Sequence, residues 1–244
     1  MIPLPTLFAG NGSTFFTGTA KTGMPGAGIL GVVLLANTMD QTRQSVGVLL
    51  PLLVSADLFA VFYYRRHADW KLIRRVLPWT LAGLGLGYMT LKFAQELDFS
   101  MLLGSLVLGI LFLDFVRSRM GWDKIPHHFL YTSFLGIATG FATTIGNVAG
   151  PIMSLYLLSL GLQKHKFMGS MSWFFLIINL LKVPLFISAE MITRESMRLS
   201  VCFLPGIVFG ALFGRFLFEK IPTKPFAAAV QIFAAAAAVK LMVA

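Results

Sequence analysis

The chain is poor in charge, poorer still in acid, and almost without cysteine. Only 12% of its 244 residues are charged, and 10 acidic residues stand against 20 lysines and arginines. Cys202 is the single cysteine, which excludes an intrachain disulfide and a thiolate metal cluster and leaves a thiol buried in a helix as the plain reading. The sequence has no His-Glu-x-x-His, no Gly-Lys-Ser/Thr phosphate loop and no Gly-x-Ser-x-Gly elbow, so neither an enzyme nor a cofactor is expected. The adjacent His127 and His128 make an incomplete metal site, and the 12 methionines are scattered, so no metal is expected either. The low charge, with 57% hydrophobic residues and a mean hydropathy of +0.79, excludes a soluble globular protein and leaves a polytopic membrane protein. A net charge of +10 suggests nucleic acid at first sight. The basic residues form no stripe, however; they gather between apolar runs, as positive-inside topology requires. The start Met1-Ile2-Pro3-Leu4-Pro5 lacks the basic region of a cleaved signal.

Apolar runs lie near 13–36, 44–64, 76–92, 99–116, 129–160, 167–189, 199–218 and 225–243, most of them reaching the roughly 20 residues of a spanning helix. The basic loop 65–75 and the stretch 117–124 belong on the cytoplasmic side, with Glu96 on the outer side. The first run contains Thr17 to Gly28, where Lys21 stands beside a break of glycine and proline. A similar break occupies Thr139 to Pro151. Gly and Pro free backbone groups that hydrocarbon cannot satisfy, so each break must face protein or a cavity, and two such breaks at corresponding places point to a transporter.

A shift of 122 superposes Thr17, Gly18, Ala20, Thr22, Ala27, Gly28, Gln41 and Gly47 on identical residues, and places Asp57 on Asn179; a shift of 127 matches Pro78, Gly83 and Gly87 to Pro205, Gly210 and Gly214. The expected fold is therefore an all-α transmembrane bundle of about eight segments. It forms one membrane domain of two repeat halves, 1–122 and 123–244, each opening on a broken segment. If each broken segment crosses once, the repeats are parallel; if each enters and returns as a hairpin, they are inverted, which the charge rule favours marginally.

Lys21 is the sharpest candidate for a site, because an intramembrane ammonium usually marks a pathway; snorkelling to a membrane face is the alternative. New helix starts near Gly26 and near Asn147 would turn backbone N–H groups toward an anion mid-bilayer. The expected substrate-binding set is Lys21, Thr22, Gly23, Gly26, Gly28 and Gln41 from the first half, with Thr143, Thr144, Gly146, Asn147, Gly150 and Gln163 from the second. The glycines have a plain alternative in close helix packing. Arg43, Asp57, Asn179 and Lys182 are coupling or pathway candidates. Asp57 and Asn179 are expected to meet near the axis relating the halves, with Arg215 as a basic neighbour, and a proton-accepting Asp57 stands beside a purely structural pair. His165 and Lys166 are placed at the mouth or the interface. Asp114 and Arg117 read as a surface pair.

The glycine clusters 23–28 and 146–151, each followed by an apolar run and a polar turn, with the basic loop Tyr63 to Trp70, resemble the TauE/SafE family, also called the sulfite exporter family. Ala27 and Ala149 replace glycines of that family's pattern, and Pro25 is added. The resemblance implies a multi-pass transporter of small sulfur-containing or other organic anions, such as sulfite or sulfonates, in the bacterial inner membrane. Its partners are then the anion and the bilayer, with proton coupling and a homodimer left open and nucleic acid excluded. A passive anion channel and a non-transporting assembly subunit are the competing readings.

Overall fold

A computed structural model describes residues 4–25, 28–36, 42–93, 105, 108–109, 112 and 128–243. Its elements are α1 (Leu4–Thr22), α2 (Gly28–Ala36), α3 (Thr42–Tyr64), a single 3-10 turn (Arg65–His67), α4 (Trp70–Phe93), α5 (Phe129–Gly146), α6 (Ala149–Ser159), α7 (Lys164–Ser188), α8 (Arg194–Lys220) and α9 (Thr223–Val243). No strand occurs among the described residues. By length and composition four stretches can cross a membrane: Ser45–His67, Phe129–Gly146, Lys164–Ser188 and Arg194–Lys220. Expectation and structure differ at the basic loop, because Asp69 caps α4 by accepting from the backbone N–H groups of Lys71 and Leu72 at 3.1 and 3.2 Å. Lys71, Arg74 and Arg75 thereby become the first turns of a helix. The run 99–116, the stretch 117–124 and the Asp114/Arg117 pair lie largely or wholly outside the described residues.

Two compact units emerge, 1–66 with 172–222 and 67–171 with 223–244. In the first, α2 folds back along α1. Ser13 donates to the Gly31 carbonyl at 2.6 Å, and Gly28 lies against Ala20. The broken segment is thus a helical hairpin. α8 runs parallel to α1, and a Cβ at Gly18 would strike the backbone at Ile207 and Ala211. Polar residues of α1 pay for their burial locally, since Thr14, Thr19 and Thr22 donate to the carbonyls of Phe203, Gly210 and Ala211 at 2.9, 3.2 and 2.7 Å. Asn11 repairs a fault in α8. Pro205 carries no N–H, and one turn of the ladder is bridged by the Asn11 amide, which donates to the Cys202 carbonyl at 3.3 Å and accepts from Gly206 N–H at 2.9 Å. Leu35, Val48, Leu49, Leu52, Leu53 and Ala56 close the apolar core against Phe203 and Ile207. α7 runs antiparallel to α3: Trp173 Nε1 reaches the Arg65 carbonyl, and Gly47 abuts the Met191 backbone.

In the second unit, α6 likewise folds back on α5, with Tyr156 and Thr132 hydroxyls 3.2 Å apart. α5 runs parallel to α4, and a Cβ at Gly140 would strike the Thr80 carbonyl. Phe226 of α9 packs edge-on against Phe167 of α7. The two units repeat one another's packing in detail. Gly210 abuts the Phe15 carbonyl and Gly83 the Ile137 carbonyl, while Gly214 meets Thr19 and Thr22 and Gly87 meets Phe141 and Thr144. Every one of these residues maps onto its equivalent by the shifts of 122 and 127 read from the sequence.

A buried charge cluster as candidate functional site

The first unit holds a chain of polar side chains inside its helices. Asp57, in mid-α3, is fully buried, and its Oδ1 lies 2.7 Å from Lys21 Nζ. Its Oδ2 accepts from Asn179 Nδ2 at 2.6 Å, across from α7. One turn along α7, Lys182 Nζ donates to Asn179 Oδ1 at 3.4 Å. Both lysines are backed by aromatic faces, Lys21 4.1 Å above the Phe175 ring and Lys182 5.2 Å above Phe186, contacts that strengthen as water is excluded. Lys182 is wholly buried, whereas the Lys21 side chain keeps 14% of its surface exposed. Lys21 is therefore the less buried of the two lysines. A lone charge at this depth would be costly; pairing and hydrogen bonding offset that cost.

The helix positions explain the assembly. α1 stops at Thr22, where Gly23 and Met24 N–H groups both turn back to the Thr19 carbonyl. Tyr64, the last residue of α3, donates its hydroxyl to the Thr22 carbonyl at 2.6 Å. The break thus sits level with the C-terminal end of α3. α1 brings 19 residues to that level before the glycine. Lys21 reaches Asp57 through the length of its own side chain.

Of the expected residues, Lys21, Asp57, Asn179 and Lys182 come together. Thr22 and Gly23 lie beside them, but the Thr22 hydroxyl is spent on Ala211 and Gly18 carbonyls, and a Cβ at Gly23 would strike Gly214. Gly28 opens α2. Gly26 and Gln41 lie outside the described residues, and Arg43 is described only as backbone in α3. The second set clusters in the second unit. α5 ends at Gly146, with Asn147 in the left-handed conformation (φ 56°) satisfying the last carbonyls. Thr143 and Thr144 are buried, Thr144 donating to the Gly140 carbonyl at 2.8 Å. Gly150 is open on its Cβ side, and exposed Gln163 precedes α7. Arg215 is not the neighbour of Asp57: it pairs with Glu219 at 2.8 Å and stacks on Tyr63, because the i, i+4 partner on its own helix is nearer. His128 caps α5 through Leu130 N–H. His165 stacks on His67, and Lys166 is exposed. Phe175 and Tyr64 escaped the sequence reading; a tyrosine closing a span was the available signal.

The second unit also carries a cavity of about 210 Å³ between Asp69, Lys71, Leu72, Arg75, Tyr156, Leu160 and Leu162. No group of three or more His, Cys, Asp or Glu able to hold a metal occurs among the described residues.

In comparison with known proteins, the family described as sulfite exporter TauE/SafE matches residues 12–241. No curated protein and no solved structure matches the chain.

Proposed function

Because the chain belongs to the TauE/SafE sulfite exporter family of multi-pass membrane transporters, we propose that it carries a small anion, sulfite or an organosulfonate, across the bacterial inner membrane by alternating access, with Lys21 as its principal ligand. The single observation that carries this reading is the partly accessible Lys21 ammonium held inside the helices against buried Asp57. A small anion competes with that carboxylate for one ammonium.

Alternating access draws support from repeat geometry. α3 and α7 correspond under the 122 shift, yet run antiparallel and touch at the equivalent residues Asp57 and Asn179. A two-fold axis in the membrane plane gives that arrangement, whereas an axis along the membrane normal makes equivalent helices parallel. The helical hairpins α1–α2 and α5–α6 fit the same reading, in which 1–122 and 123–244 are inverted repeats. The test is a thermal-shift screen of the purified protein over sulfite, sulfate, sulfonates and carboxylates, since a ligand that binds only the folded state raises its stability. We expect a sulfur oxyanion to raise Tm and Lys21→Met to abolish the rise. A rise that persists in Lys21→Met removes Lys21 from the site, and no rise with any anion rejects the reading.

A further inference from the structure

The four-member cluster contains two ammonium groups and one carboxylate, and its accounting changes when an anion arrives. The charged groups that face Asp57 are Lys21 from α1 and Lys182 from α7; α2 carries no charged residue, and α8 has its Arg215 engaged by Glu219. Among the described residues, Lys21 is the one direct ionic contact of the carboxylate, because Asn179 stands between Asp57 and Lys182. An anion that takes the exposed side of the Lys21 ammonium draws it off Oδ1. What remains is a fully buried carboxylate with one neutral amide donor on Oδ2, a state costing several kcal/mol. Taking up a proton on Oδ1 removes that cost.

Resting on the anion-transport reading above, we propose that the protein moves one proton with each anion, the proton riding on Asp57 while the anion occupies Lys21. The balance is simple. At one face the anion binds Lys21, the Lys21–Asp57 ion pair opens and the carboxylate takes a proton from water. At the other face the anion leaves, Lys21 returns to Oδ1 and the proton goes back to water. One negative and one positive charge cross together, so the bilayer never receives an unpaired charge. Lys182 acts at one remove as a positioning residue, by holding the Asn179 oxygen so that its Nδ2 faces Asp57.

The placement of Asp57 and Asn179 at equivalent positions supplies a discriminating variant. Exchanging them, Asp57→Asn with Asn179→Asp, keeps one carboxylate at the same junction, next to Lys182 and still bridged by an amide to Lys21. The experiment uses the full chain in liposomes with methanesulfonate and sulfate as probes, both fully ionised at neutral pH, so that any proton moved is the protein's. Membrane potential is clamped at zero. An inward gradient of one pH unit should accumulate methanesulfonate about tenfold, the ratio for one proton per monoanion. In Asp57→Asn that ratio should fall to about one, and in the exchanged double variant it should rise again. Glu195→Gln, exposed in the first turn of α8 at its far end from Lys21, serves as the unaltered control. Anion movement indifferent to the gradient in the unmodified protein, or a gradient response kept by Asp57→Asn, overturns the coupling and leaves anion transport standing. Asp57→Asn that is inactive and not restored by the exchange also overturns it. Failure of either probe to move at all rejects both readings.

Discussion

Asp57 and Asn179 stand 122 residues apart, at the same place in two copies of one sequence pattern, and their side chains meet at 2.6 Å between two helices long and apolar enough to cross a membrane. Two ionised carboxylates would repel one another at that distance; an acid against its amide does not, with the amide donating. The charge on Asp57 is then answered from α1 by Lys21.

That ion pair sets a stability expectation. Removing one partner of a buried pair typically costs about 3–5 kcal/mol, while replacing both by apolar groups costs far less. Lys21→Met and Asp57→Leu should each lower Tm in detergent, and the double variant should recover most of the loss. A double variant no more stable than the worse single one contradicts the pairing.

The matched glycines make a second expectation. A Cβ at Gly18 or Gly140 meets the backbone of the facing helix, while one at Gly12 or Gly85 meets nothing within 4 Å. Overpacking commonly costs about 1–3 kcal/mol. Val at 18 or 140 should therefore destabilise by at least that much, in similar degree, and Val at 12 or 85 should leave Tm within a degree or two. Unequal losses at 18 and 140 would argue against equivalent packing.

Topology gives a third. Arg66 follows the end of α3, and Glu190 lies beyond the opposite end, next to the Met191 that packs on Gly47. With Cys202→Ala as background, a single cysteine at 190 should react with an impermeant maleimide from outside, and one at 66 only after the membrane is opened. Reaction of both from one side rules out the antiparallel course of α3 and α7 through the bilayer.

The bridging of α8 by α1 gives a fourth. Asn11→Leu strips the Cys202 carbonyl and the Gly206 N–H of their partner, at about 1–3 kcal/mol for each buried group left unpaired. Pro205→Ala should shrink that cost, because the helix can then close its own ladder. Urea or thermal unfolding of the four-member mutant cycle reads the coupling; strict additivity excludes it.

Much of this arrangement was legible in the residues. The shifts of 122 and 127 foretold which glycines share a packing role, and they brought Asp57 to Asn179, because a repeat constrains equivalent positions whatever the fold. The breaks were legible from Gly23, Pro25 and Gly146, which interrupt the helical ladder. Their level against α3 was not, since it depends on where α1 begins, and the small, hydroxyl-bearing residues before Lys21 hide a helix of 19 residues. The partner of Lys21 was not legible either. The rule that intramembrane charges pair offers Arg215 to Asp57, but Glu219, four residues on along the same helix, holds it instead.

The Tyr64 hydroxyl on the Thr22 carbonyl has its own consequence. α3 grips the last turn of α1 twice, by this phenol and by Asp57 on Lys21, so the end of α1 keeps one tie to α3 even where the lysine lets go of the carboxylate. On the anion-transport reading proposed above, cargo selection becomes a matter of side-chain reach, and an oxyanion too bulky to slip between a four-carbon stem and its tether is not loaded.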